Sequence, residues 1–249
     1  MNIFIAETHT HLKAAALSEF VVNIISYNDN VIRYKNCLMT EKTQHVRICF
    51  FELMAEKEDY MEVIESFVES NPCYSAGKKI DVKGLVLHSV GCPQPSAEVF
   101  VKQFNSSSAK VCVHAFIDAN TGSVYQTLPW NYKAWHCGGS ANSTHIGVEM
   151  CEPPCIKYSG GATITCSDEQ KAKEMVMRTL NCAAELFADL CVRYGLDPLA
   201  DGVIISHKEG HDRGVASGHG DPDHLFTQLN MNYTMNDFRN KVAELKNKK

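Results

Sequence analysis

Four histidines and four acidic residues crowd into one stretch, ISHKEGHDRGVASGHGDPDHLF, Ile205 to Phe226, with four glycines and one proline. Imidazole and carboxylate are the side chains that hold divalent cations or pass protons near neutral pH. His207 ends the apolar run GVIISH, and far upstream His88 ends a second one, GLVLH. Two buried strands that each finish in a histidine can bring both rings to one sheet edge, where a loop supplies a third ligand. Asp221 in HGDPD is the best-placed carboxylate, because Pro222 stiffens the turn after it. Two His and one Asp leave one position on a zinc ion open for water, whose pKa the ion lowers to about 7. The same residues also fit two isolated, hydrogen-bonded core histidines and a polar surface loop.

The elements that must position these groups follow from periodicity. KGLVLHSV is apolar throughout, the pattern of a strand buried on both faces. PSAEVFVKQFN reads as a short helix capped at Ser96. VCVHAFIDANTGSVYQTLP is two strand-like runs joined by a turn. HIGVEM alternates, with His145, Gly147 and Glu149 on one face and Ile146, Val148 and Met150 on the other. The clearest helix starts at a capping box, Ser167 with Gln170, and ends at Gly195. Its buried stripe is Met175, Val176, Thr179, Leu180, Ala183, Leu186, Phe187, Leu190 and Tyr194. NDFRNKVAELKNK is a closing amphipathic helix. The whole is an α/β fold, a central mixed sheet flanked by helices.

A seam of turn chemistry at ESNPCYSAGKK separates residues 1–70, an extension of unknown role, from a domain over residues 71–249. In the extension, Met61, Ile64, Phe67 and Val68 have helical spacing, HVRICFFEL has strand character, and His9 and His11 share one strand face. Hydrophobic residues at 45% and charged residues at 21% suit a globular chain. A net charge of -5 argues against a nucleic-acid partner. No apolar run approaches the roughly 18 residues of a membrane span. The N-terminus has no basic stretch ahead of its broken apolar run, so cytoplasmic synthesis without a signal peptide is expected. Eleven cysteines without any C-x-x-C speak against a zinc ribbon and for a reducing compartment, although Cys151 and Cys155 of CEPPC are close enough in sequence to pair.

From about Asn71 to Phe226 the order of motifs resembles the zinc-dependent N-acetylmuramoyl-L-alanine amidases of the amidase-2 family. Phage endolysins, cell-wall recycling amidases and peptidoglycan recognition proteins belong to that family. GLVLHS resembles its first metal strand, VHAFIDANTGSVYQTLP its hairpin, AWHCGG its cleft motif, HIGVEMCE the strand of its glutamate, ISHKEG its second metal histidine and HGDP its last ligand turn. The resemblance implies Zn²⁺ held by His88, His207 and Asp221, and peptidoglycan or muropeptides as substrate. It implies Glu149 as the proton-transfer residue and His219 as the oxyanion partner. His114, Trp135 and His136 would line the cleft.

Three positions depart from the pattern. Val113 stands where some members carry a tyrosine. His219 replaces a lysine common two residues before the last ligand, and it is a rival to Asp221 for the third ligand place. The stretch between His207 and Asp221 is long. Two other functions stay open: a non-catalytic peptidoglycan-binding module of the same fold, and an unrelated zinc amide hydrolase. For an endolysin, access to the cell wall would follow release through a holin-made lesion.

Overall fold

A computed structural model describes residues 20–28, 31–39 and 61–249. The chain divides into two units, Met1–Tyr60 and Met61–Lys249. In the first, β1 (Phe20–Asn28) and β2 (Val31–Met39) form an antiparallel hairpin with Asn28 opposite Val31. His9, His11 and the HVRICFFEL segment lie outside the described residues.

The second unit is built on a six-stranded mixed sheet. Its strands are β3 (Val63–Glu65), β4 (Gly84–Ser89), β5 (Ala115–Ile117), β6 (Val124–Gln126), β7 (His145–Met150) and β10 (Ile204–Ser206). Their spatial order is β10-β4-β7-β5-β6-β3. Only β5 and β6, the expected hairpin, pair antiparallel; the other neighbours run parallel. All six residues of β4 are buried, as its unbroken apolar run requires.

One face of this sheet makes the main core. Leu85 and Leu87 of β4 and Ile146, Val148 and Met150 of β7 pack with Val176, Leu180 and Phe187 of the long helix α3 (Glu169–Tyr194). Each such buried side chain contributes about 1.5–3 kcal/mol relative to exposure. The last helix, α6 (Met235–Lys246), closes over α3, with Phe187 and Phe238 edge to face at 5.3 Å. The opposite face carries Val86 packed on Cys137, Ala141 and Ile205. Alternation therefore puts His88 and Glu149 on this second face.

Several expectations need correcting. Residues 62–68 are extended, not helical. The backbone of this segment pairs with β6, Val124 N–H donating to Glu62 O at 2.8 Å and Ser66 N–H to Gln126 O at 2.8 Å. The β-branched pair Val63 and Ile64 fits a sheet edge, and apolar spacing over so short a run does not separate the two periods. The cap of α3 is Asp168, whose carboxylate accepts from Lys171 N–H at 3.1 Å. Ser167 instead donates to the Cys155 carbonyl at 3.1 Å. Gly195 ends α3 in the left-handed region, φ 64°, as expected.

The turn-rich seam at residues 69–79 contains a short helix, α1 (Pro72–Ala76), capped by Asn71. A disulfide joins Cys73 of α1 to Cys112, whereas Cys151 and Cys155 are free. Cys151 is buried beside Phe116, whereas Cys155 is half-buried against the main core. The helix α2 (Ala97–Phe104) starts after Ser96 as expected, but the Asp118 carboxylate, not the serine hydroxyl, takes a first-turn donor, Ala97 N–H at 3.0 Å.

Candidate metal centre and active site

Strand register assembles the site. In the parallel ladder His88 of β4 stands directly beside Glu149 of β7. On the other side of β4, Ser206 of β10 pairs with Leu87, so His207 comes next to His88 one residue further on. His207 is not the end of a strand, as GVIISH suggested, but the first residue of helix α4 (His207–Asp212). Ser206 and Glu209 form a reciprocal capping box that starts this helix sharply. Arg239 of α6 grips Glu209 with two hydrogen bonds of 2.9 and 3.0 Å. The His207 ring is thereby presented from a rigid corner.

Asp221 arrives from the turn before helix α5 (Asp223–Gln228) and is joined to Pro222 by a cis peptide. Its carbonyl accepts Lys208 N–H at 3.2 Å, tying the turn to α4. His88 Nδ1 lies 3.0 Å from His207 Nδ1 and 3.2 Å from Asp221 Oδ2. His207 Nδ1 lies 3.4 Å from Asp221 Oδ1. One ligand atom from each residue falls within 4.8 Å of the others. Among the described residues, Asp221 rather than His219 completes this set.

The surrounding hydrogen bonds fix which nitrogens face inward. His88 Nε2 is 2.9 Å from His136 Nδ1, and His136 Nε2 is 3.2 Å from the His145 carbonyl. A carbonyl only accepts, so His136 carries its proton on Nε2 and receives the His88 proton on Nδ1. His88 Nδ1 is then a bare lone pair. The His207 ring is held likewise: its Nε2 faces Ser217 Oγ at 3.3 Å and His219 Nδ1 at 3.2 Å. Two lone pairs and a carboxylate converging at 3.0–3.4 Å repel one another unless a cation or a proton lies between them. Burial lowers the pKa of His88, which works against a proton as the answer. Two nitrogens and one oxygen suit Zn²⁺.

Glu149 supports the same conclusion. Its Oε2 is buried without a hydrogen-bond partner. Burial, followed by the charges of Asp221 and Glu152, pushes its pKa well above the usual carboxylate range. A cation held by His88, His207 and Asp221 would oppose that push and favour ionised Glu149.

The remaining expected residues divide. The His136 ring fills the space beside Gly147, and a Cβ at position 147 would collide with it. His136 thus stands behind His88. His114 is completely buried, with Nδ1 accepting Gly147 N–H at 3.0 Å and Nε2–H donating to the Tyr132 carbonyl at 2.8 Å. Both of its nitrogens are spent on the backbone, so it braces β7 and does not line an open cleft. Trp135 is 37% exposed, beside a shallow hollow bounded by Cys73, Ala76, Lys78 and Lys133. His219 is exposed on the Nε2 side of His207. Val113 is buried.

Burial draws the His114 pKa down to about 4, against the opposing hydrogen bonds to Tyr132 and Gly147. In the unfolded chain the value is about 6.5. Between these limits the unfolded state binds a proton that the folded state refuses, so stability falls as pH drops from about 6.5 to about 4. Urea unfolding of chelator-treated protein across this window should show a stability slope up to ~1.4 kcal/mol per pH unit steeper in wild type than in His114→Asn. Equal slopes would show that His114 does not titrate this way.

Two residues of the site region have no counterpart in the sequence reading. Glu152, fully buried, and Tyr158, on the hairpin of β8 (Ile156–Gly160) and β9 (Thr163–Cys166), meet at 2.8 Å. The signal available was IKYSGGATIT, two short β-rich runs around Gly-Gly.

Known proteins are similar to this chain. The family model described as N-acetylmuramoyl-L-alanine amidase matches residues 78–224. The N-acetylmuramoyl-L-alanine amidase CwlL of Bacillus licheniformis is 29% identical over 153 residues, covering 55% of this chain and 37% of the relative. A probable N-acetylmuramoyl-L-alanine amidase of the same organism is 30% identical over 160 residues, covering 58% of this chain and 39% of the relative. The chain thus spans under two fifths of the length of these curated relatives. The fold is that of the Staphylococcus aureus hydrolase AmiA, solved in complex with its ligand, at TM-score 0.55 and 20% identity over 83% of this chain and 91% of that one. Because the family match runs from before the His88 strand to beyond Asp221, the chain belongs to the N-acetylmuramoyl-L-alanine amidase family, amidase-2.

Proposed function

We propose that this chain hydrolyses the amide between the lactyl group of N-acetylmuramic acid and L-alanine in peptidoglycan or muropeptides. The observation that carries the reading is Glu149, a half-buried glutamate whose Oε2 is buried without a partner, set beside the convergent His88, His207 and Asp221 in a member of this family. His88, His207 and Asp221 would hold Zn²⁺. When bound, the ion supplies Lewis acidity and lowers the pKa of a water to about 7.

The chain's own groups do the rest. Glu149 accepts the proton of the attacking water and returns it to the leaving amine of L-alanine. His219, at the exposed rim, stabilises the oxyanion that forms on the lactyl carbonyl. His136 keeps the His88 proton off Nδ1. Trp135 offers an exposed aromatic face to a sugar ring. Among the described residues no helix is long and apolar enough to cross a membrane. Action at the cell wall after release through a holin-made lesion fits an endolysin of this kind.

Digestion of purified muropeptides, read by mass spectrometry with and without chelator, tests the reading. Free stem peptides beginning with L-alanine should appear, vanish with chelator and return with zinc. A chain beginning at Met61, which keeps β3 and the whole sheet, should cleave the same bond. Sedimentation with peptidoglycan but no cleavage by zinc-replete protein would make it a binding module instead.

A further inference from the structure

Near the metal-ligand set lies a second, partly buried polar chain that the mechanism does not use. Glu152, just beyond the end of β7, is completely buried. Its Oε1 accepts Gly91 N–H at 3.0 Å, three residues past His88. Its Oε2 accepts the Tyr158 hydroxyl at 2.8 Å. The Tyr158 oxygen in turn lies 2.7 Å from Nε2 of His224, on the first turn of α5. The backbone N–H of His224 donates to the Gly220 carbonyl at 3.0 Å, closing the turn that carries Asp221.

The direction of the protons follows from one orphan atom. His224 Nδ1 is buried without a partner. If Nε2 accepted from Tyr158, the ring proton would sit on Nδ1, stranded. A buried N–H without an acceptor is rarer and costlier than an unfilled acceptor. The His224 Nε2–H therefore donates to Tyr158, and Tyr158 O–H donates to Glu152. Each group has one role, and each bond crosses between elements: from α5 to β8, from β8 to the end of β7, and from there to the end of β4.

A buried carboxylate is an expensive way to join four segments that apolar contacts could join at lower cost. What apolar contacts do not supply is direction, and these four segments carry His88, Glu149 and Asp221. We propose that Glu152, Tyr158 and His224 are positioning residues that set the Asp221 carboxylate against the His88 and His207 nitrogens. The inference rests on the reading of those three residues as a metal centre. It does not depend on which amide is cleaved.

The test uses the full chain. Zinc affinity is measured by competition with a chromogenic chelator, and ligand geometry by the visible d–d absorption of the Co²⁺-loaded protein. Tyr158→Phe keeps the ring and deletes the hydroxyl. It should weaken zinc binding about 10- to 100-fold, the range for groups that orient metal ligands, and shift the cobalt bands. His224→Ala should do the same, whereas His224→Gln, which can still donate to Tyr158, should stay within about threefold of wild type on the same scale. That rescue separates orientation from simple loss of packing. Wild-type affinity and an unshifted cobalt spectrum in Tyr158→Phe overturn the proposal. So does equal weakening by His224→Ala and His224→Gln, which also decides the matter if Tyr158→Phe fails to fold. If wild-type protein binds neither metal, or binds it equally well after His88→Ala, the metal-centre reading itself has failed.

Discussion

Glu149→Gln is expected to leave the chain folded and zinc-replete while lowering muropeptide turnover by about 10²-fold or more. A loss of that size is about 2.7 kcal/mol of transition-state stabilisation. The change is nearly isosteric and removes only basicity. The structure makes the case sharp because Glu149 has no protein partner on Oε2, so little structural work is lost with the charge. A glutamate that merely oriented a ligand would show the opposite pattern, with weaker zinc binding and preserved turnover at saturating metal. Turnover and zinc content measured on one preparation separate the two. Normal turnover in a zinc-replete variant would end the proton-transfer role.

His88→Ala should reduce bound zinc from about one per chain to a small fraction after dialysis, with activity falling alongside. His88 loses most because it lies at the centre of the set, its Nδ1 in reach of both His207 and Asp221 and its Nε2 anchored on His136. Asp221→Ala should also strip the metal. His219→Ala should keep stoichiometric zinc and bind it about 10-fold more weakly, because His219 meets only the outer nitrogen of His207. Elemental analysis of the three variants decides the third ligand. Metal retained in Asp221→Ala and lost in His219→Ala would reverse the assignment.

The buried strands and their histidines were legible because burial on both faces writes itself as an unbroken apolar run, GLVLH, and a half-open face as alternation in HIGVEM. The long helix was legible through its stripe and its Gly195 stop. What sequence spacing does not carry is adjacency. Nothing in the 60 or so residues between His88 and Glu149 announces that β4 and β7 are neighbours in register, and this register sets His88 beside Glu149. Nor does a histidine declare its depth. His114 and His136 sit in similar apolar contexts, yet one is spent on backbone and the other on a ligand. The 62–68 segment was misread because sheet pairing overrode a short helical period. The Glu152–Tyr158–His224 chain was invisible because its members belong to three separate elements.

The metal site is anchored unevenly. His88 sits in a strand buried at every position, and His207 starts a helix pinned by Ser206, Glu209 and Arg239. Asp221 instead ends a largely exposed stretch, residues 211–220. Free energies of local opening range from near zero in such surface segments to the global value in core strands. Local opening of that stretch would release the carboxylate while leaving the two histidines in place as a preformed half-site. A metal ion bound there would meet the nitrogens first and lose the oxygen first on leaving, so the turn that carries Asp221 would set the exchange rate while the sheet set the geometry.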